Sequence, residues 1–100
     1  MITLPAATTL TDAYTVPTAK RATVEVVICN RGGAATVRLS HAKAGAADTG
    51  AQYLLYDFVI PAGETKVTAQ ITATATDVLR VYATTATVAF NINGIEEDAV

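Results

Sequence analysis

The sequence predicts an all-β chain: a single antiparallel β-sandwich, immunoglobulin-like or jelly-roll-like, of about seven to eight short strands. Three observations predict it. Apolar and polar residues alternate with a period of two in run after run. The plainest case is Ala35–Ala42, where Ala35, Val37, Leu39 and His41 share one face and Thr36, Arg38, Ser40 and Ala42 the other. Turn residues (Gly, Pro, Asn and Asp) punctuate these runs at near-regular spacing. No stretch holds a helical apolar period long enough to form an amphipathic helix.

In chain order, residues 1–7 read as an N-terminal arm or edge segment, because Pro5 interrupts any hydrogen-bond ladder. Thr8–Val16 alternates as a first strand and stops at Pro17, which has no N–H and restricts the residue before it. Ala22–Asn30 is β-branched and apolar, and Asn30-Arg-Gly-Gly33 tolerates the positive φ of a tight reversal. Ala22–Ala42 is therefore expected to form a central β-hairpin. Lys43–Ala51, with Gly45, Asp48 and Gly50 among alanines, reads as a loop and a partner-contacting tip. Gln52–Ile60 is apolar on both faces, as in a strand covered on both sides or lying in a subunit contact. After the Pro61–Glu64 turn, Thr65–Thr72 alternates with Thr65, Val67, Ala69 and Ile71 inward. Val78–Thr84 and Thr87–Asn93 are expected to form the last pair, with Val88, Phe90 and Ile92 inward. Gly94 ends that strand, and residues 95–100 form an acidic C-terminal tail.

A chain of 100 residues supports one domain, 1–100, and one core. With 20 Ala, 17 Thr, six aromatic residues and no Trp, that core is thin. At roughly 25 cal/mol per Å² of apolar surface, its burial stabilises only modestly, and assembly with other chains would add to it. A net charge of −2 lacks the basic excess of a nucleic-acid binder. Five of the seven basic residues lie between Lys20 and Lys43, whereas Glu96, Glu97 and Asp98 make the C-terminus acidic. That asymmetry either orients neighbouring copies head to tail or is ordinary solvated surface charge. No signal peptide is expected at the N-terminus, and no apolar run reaches membrane-spanning length, so the expectation is a soluble chain made in the cytoplasm.

Chemistry-bearing residues are sparse. Cys29 is the only cysteine, so no internal disulfide forms, and His41 on the expected paired strand is its one possible histidine partner. No acid stands ready to orient that histidine, and Cys29 reads as structural. The acids at 96–98 lack the interleaved spacing of a calcium loop, and no zinc-like pairing occurs. Asn30–Gly33 joins two strands, so no helix terminus awaits a phosphate. Asp57, within an apolar strand, is expected to pair with Arg38 or Arg80 or to face solvent. Tyr14, Tyr53, Tyr56 and Tyr82 fall on three strands, which favours core and interface packing over a carbohydrate platform. No catalytic, cofactor-binding or metal-ligating residue is therefore expected, and no enzyme. Outward Thr and Ala lose little desolvation energy when covered, which suits permanent protein contacts.

Tyr14-Thr-Val-Pro17, Ala22-Thr-Val-Glu-Val-Val-Ile-Cys-Asn-Arg-Gly32, Gln52-Tyr53, Tyr56-Asp57, Ile60-Pro-Ala-Gly-Glu-Thr65, Asp77-Val-Leu-Arg-Val81 and Phe90-Asn-Ile-Asn-Gly-Ile-Glu96 span nearly the whole chain. In these features the chain resembles small all-β virion proteins of tailed bacteriophages. The resemblance implies a non-enzymatic structural role without cofactors, in many copies, located in the virion after synthesis in the host cytoplasm. Its implied partners are other virion proteins, the major capsid protein first, and further copies of itself; nucleic acid and membrane are not among them. A capsid decoration (cement) protein reinforcing contacts between capsomers is the leading expectation. A tail, neck or fibre accessory subunit, or an immunoglobulin-like surface or glycan-binding module, is the alternative. Ile2, Leu4 and Pro5 of the arm, Lys43 and Asp48 of the loop, and Tyr53 and Tyr56 are the interface candidates.

Overall fold

Ile2 faces Asn91, Thr11 faces Val81, Val27 faces Val67 and Ala35 faces Ile60, so the strand pairings close concentrically on the loop after Ala42. The computed structural model that has this arrangement describes residues 2–47, 50–68 and 70–98. Its strands are β1 (Ile2–Thr3), β2 (Thr11–Thr15), β3 (Lys20–Asn30), β4 (Ala35–Ala42), β5 (Tyr53–Ile60), β6 (Thr65–Val67), β7 (Ile71–Ala73), β8 (Val78–Ala83) and β9 (Val88–Asp98). One antiparallel sheet runs β1-β9-β3-β6, with β7 also on β3; the other runs β2-β8-β4-β5. Between them lies one core, to which the first sheet sends Val26, Ile28 and Phe90 and the second Val37, Leu39, Leu79 and Val81. Each such buried side chain contributes roughly 1.5–3 kcal/mol.

The chain is thus an all-β sandwich, as its alternation predicts, and the pairing order fixes its type. With β6 and β7 taken as one interrupted strand, each half of the chain supplies one member to four antiparallel pairs. Those pairs are β1 with β9, β2 with β8, β3 with β6 and β7, and β4 with β5, split over two sheets. A long ribbon wound in this way is a jelly roll. The interruption comes from Thr68, whose N–H donates to Val26 O while its hydroxyl accepts from Val26 N, both at 3.0 Å. The hydroxyl replaces a ladder carbonyl, and the alternation slips. Ile71 points inward as expected, but Val67 is exposed; Ala69 lies outside the described residues.

Two expected pairings are overturned. β3 and β4 do not form a hairpin, nor do β8 and β9, because the members of each couple lie in different sheets. Alternation fixes which face is buried, not which strand lies alongside. The Asn30–Gly33 stretch is accordingly a crossing between sheets, and no residue in it has positive φ. Gly32 serves close approach instead: a Cβ there would lie 2.5 Å from Thr87 Oγ1. Asn30 is buried, and its amide nitrogen donates to the carbonyls of Gly33 at 2.8 Å, Ile60 at 3.1 Å and Pro61 at 3.4 Å.

The C-terminal segment also departs from expectation. Gly94 does not end β9, and residues 95–98 are no tail: β9 stays in one register with β3 from Val88 opposite Asn30 to Asp98 opposite Lys20. The register pairs the charges within the chain, Lys20 with Asp98 and Arg21 with Glu97, so the head-to-tail reading of that asymmetry loses its basis. The Tyr14 hydroxyl donates to Glu96; burial, and then this carboxylate, push the phenol up to about 12. A Cβ on Gly94 would lie 2.1 Å from Thr23 O and 2.6 Å from Val24 Cα, both backbone atoms that cannot swing aside. Gly94→Ala is expected to cost roughly 2–3 kcal/mol in urea unfolding. Gly33→Ala, which meets nothing within 4 Å, should stay within about 0.5 kcal/mol of the parent.

β5 is not covered on both sides. It is an outer strand whose pairing with β4 shifts register twice, between Val37 and Leu39 and between Leu39 and Ser40. The extra residues are on β5, and Asp57 at the first bulge has φ of 50°. Leu54, Tyr56, Phe58 and Val59 are left exposed, and only Ile60 of the strand is fully buried. Residues 2–8 are likewise no free arm. Ile2 and Thr3 pair with β9, Pro5 is buried, and Thr8 N–H donates to Ala83 O at 2.8 Å.

Candidate functional site

Two side-chain clusters stand out, one just past the C-terminal end of β4 and one at its middle. The first is built on Asp77, just ahead of β8. Its side chain is 2% exposed, yet it is ionised and fully engaged. Oδ1 accepts from Ala44 N at 2.9 Å, and Oδ2 accepts from Thr74 N at 3.0 Å and Thr74 Oγ1 at 3.1 Å. Oδ2 also takes His41 Nε2 at 2.8 Å and Lys43 Nζ at 3.3 Å. Burial alone would raise the carboxyl, but the bonds from Ala44, Thr74, His41 and Lys43 outweigh it and hold the group far below the usual carboxylate range. His41 and Lys43 reach it because alternation puts both on one face of the chain leaving β4, opposite the turn before β8.

The same cluster fastens the loop expected to be an unanchored tip. Lys43–Gly45 forms a short 3-10 turn held by Asp77, and Arg80 donates to Ala46 O at 2.7 Å and Gly45 O at 3.1 Å. Arg80 also pairs with Asp12 at 2.8 Å. The cluster couples a carboxylate to an imidazole, but Ser40, next along the strand, points to the other face. Cys29 lies in the other sheet, opposite Ala89 and Thr65, so His41, its one possible histidine partner, is not on a strand paired with it.

The second cluster lies on the outer face of the β2-β8-β4-β5 sheet. Arg38 on β4 sits opposite Tyr82 on β8, and the β5 bulge brings Tyr56 and Asp57 alongside. The guanidinium carbon is 4.5 Å from the Tyr56 ring centre and 4.7 Å from that of Tyr82, a sandwich between two aromatic faces. Nε donates to Asp57 Oδ1 at 2.6 Å, and this carboxylate holds Arg38 above its already high value. Tyr53 meets Tyr56 edge-on, centroids 4.9 Å apart and planes at 73°. Of the two partners expected for Asp57, Arg38 is the one it takes.

Of the interface candidates among the described residues, Tyr53 and Tyr56 meet ring to ring, and Ile2 and Leu4 are exposed near each other at the β1 edge. Ile2 is 71% exposed, Pro5 is buried, and Lys43 is tied to Asp77 and Thr74. Asp48 lies outside the described residues. Sequence reasoning missed Asp77, which looked like a plain turn residue, and the grouping of Arg38 with Tyr82. The Thr74-x-x-Asp77 spacing, in which the acid bonds back to the Thr74 N–H and hydroxyl, was a usable signal for the first. For the second, alternation placed Arg38 outward but could not show that β4 lies between β5 and β8.

Among the described residues, no three His, Cys, Asp or Glu side chains gather as a metal-binding set, and no helix is long and apolar enough to cross a membrane. Compared with protein-family models, curated proteins and solved structures, the chain matches none.

Proposed function

We propose that this chain is a non-enzymatic structural protein of a tailed-bacteriophage virion. In this reading it is a capsid decoration protein that binds the major capsid protein and reinforces contacts between capsomers. The observation carrying the proposal is the β5 side of the sandwich. There an outer strand exposes Leu54, Phe58 and Val59, and Val67 on the neighbouring sheet edge is 53% exposed. Apolar residues grouped along an unpaired edge suit a surface that is covered in service. The jelly-roll winding, a frequent architecture of viral shell proteins, is consistent with this by analogy of fold only. Ile2 and Leu4 form a second, smaller apolar contact on the opposite edge, which would let one copy bridge two neighbours.

The test is sedimentation of purified protein with shells of the encoding phage that lack it. Saturable binding is expected. The double variant Val59→Lys, Val67→Lys changes two exposed residues, so it should fold as the parent and lose at least tenfold in shell affinity. Light scattering on the free protein reads self-association in parallel. Parent protein that never sediments with shells would refute the assignment.

A further inference from the structure

We propose that the Arg38–Tyr56–Tyr82 cluster, with Tyr53 and Asp57, is a binding site for neutral hexose oligosaccharides. The inference does not depend on the virion reading. It rests on how five side chains from β4, β5 and β8 meet on one solvent-facing surface. Tyr56 is 58% exposed although its ring is fixed on one side by Arg38 and at its edge by Tyr53. A rigid, exposed aromatic side chain offers contact area at little cost in conformational entropy. Beside it, the guanidinium and carboxylate are joined by a single hydrogen bond. Only Arg38 Nε enters the Asp57 bond, and among the described residues nothing else bonds its two NH₂ groups. Adjacent fixed donors and acceptors match the paired hydroxyls of a pyranose, whose C–H faces pack on tyrosine rings. The bulge that presents the carboxylate to Arg38 puts Asp57 in the left-handed region at φ 50°, a conformation kept where the surroundings demand it.

Charge selects among ligand classes. A phosphate or an acidic peptide approaching Arg38 meets the Asp57 carboxylate at the same point. An organic cation approaching the rings meets the like charge of the Arg38 guanidinium, 4.5 and 4.7 Å from the Tyr56 and Tyr82 ring centres. A neutral polyhydroxylated ligand meets neither obstacle. A protein hot spot also uses Tyr and Arg, but at the centre of a patch wide enough to exclude water from them. Around this cluster Leu55 and Ile60 face the core, Leu54 lines the crevice between the sheet edges and Phe58 lies under Lys66, which leaves Val59, 57% exposed, as a small apolar neighbour on β5.

Saturation-transfer-difference NMR with maltohexaose, cellohexaose and chitohexaose, each titrated into the full chain, tests the proposal. At least one is expected to bind, with signals from its ring C–H protons. Tyr56→Ala should weaken binding at least tenfold, and Asp57→Asn at least fivefold. Tyr14→Phe, on the opposite edge strand of the same sheet and packed against the core, should leave it unchanged. A circular dichroism melt confirms that each variant is folded, and Tyr82→Phe, which keeps the ring, provides a milder second reading. Absence of binding to all three sugars overturns the proposal, as does binding that Tyr56→Ala leaves intact. Shell binding lost in Tyr56→Ala with no sugar bound would also overturn it, by assigning the cluster to a protein contact.

Discussion

Replacing Asp77 by alanine is expected to lower the unfolding free energy by about 3–5 kcal/mol at pH 7, the range seen when one partner of a buried charged network is removed. Four residues lose an acceptor at once: Ala44, Thr74, His41 and Lys43. Asp77→Asn should recover little. Either orientation of the amide turns its NH₂ toward a backbone donor, Ala44 N on one side or Thr74 N on the other. The loss should extend beyond the carboxylate, because the chain entering β8 is secured here as well: Asp77 O accepts from Val16 N at 2.9 Å and Thr76 N donates to Val16 O at 2.9 Å. Hydrogen exchange in Asp77→Asn should therefore accelerate first at Ala44 and Ala46.

The acid dependence follows from the same bonds. The folded carboxyl titrates far below its unfolded counterpart, which ionises near pH 3.9. Its stabilisation is complete above the unfolded value and is lost as pH falls toward the folded one. By pH 3 about 1 kcal/mol of it should be gone, the linkage slope being about 1.4 kcal/mol per pH unit in that window. The gap between parent and Asp77→Asn should narrow accordingly between pH 5 and pH 3 in urea titrations. A gap that stays constant over that range would mean the carboxylate is not held by these bonds.

How much of this was legible beforehand varies by feature, for physical reasons. A period of two reports one fact per residue, inside or outside, and it did so correctly from Ala35 to Leu39 and for Val88, Phe90 and Ile92, whereas Ser40 and Ala42 on the expected outward face are buried. The identity of the neighbouring strand is a long-range property, and glycines at 32 and 33 favoured the local answer, a hairpin, over the true crossing. β5 misled differently. Its apolar residues on both faces suggested double cover, whereas two bulges twist it along an open edge. The Arg38 cluster was out of reach because it joins β4, β5 and β8, and no local pattern shows that those three strands adjoin. Tyr82 alone is an unremarkable outward residue of an alternating strand.

Asn30 gives the second large effect, and one that separates the crossing from the hairpin it replaces. In a hairpin turn its role would be conformational, and aspartate, equally tolerant of positive φ, would serve almost as well. In the crossing its role is chemical. The amide nitrogen feeds three carbonyls while Oδ1 accepts from Gly32 N at 3.1 Å and Thr87 Oγ1 at 3.3 Å, so the crossings from β3 to β4, β5 to β6 and β8 to β9 are all fastened to one side chain. Asn30→Asp keeps the shape but sets an acceptor against the carbonyls of Gly33, Ile60 and Pro61. The expected loss at pH 7 is about 3–5 kcal/mol, against under about 0.5 kcal/mol for the exposed Asn93→Asp. The sign of its pH dependence is opposite to that of Asp77. Carbonyls facing the new carboxyl favour its protonated form, so its folded pKa lies above the unfolded value. The penalty should be small near pH 4 and grow as pH rises toward 7, because only the protonated acid can donate a hydrogen bond in place of the amide. Urea midpoints for the variant and the parent at pH 4 and pH 7 provide the measurement. A penalty of equal size at both, or one no larger than that of Asn93→Asp, would return Asn30 to the status of an ordinary turn residue.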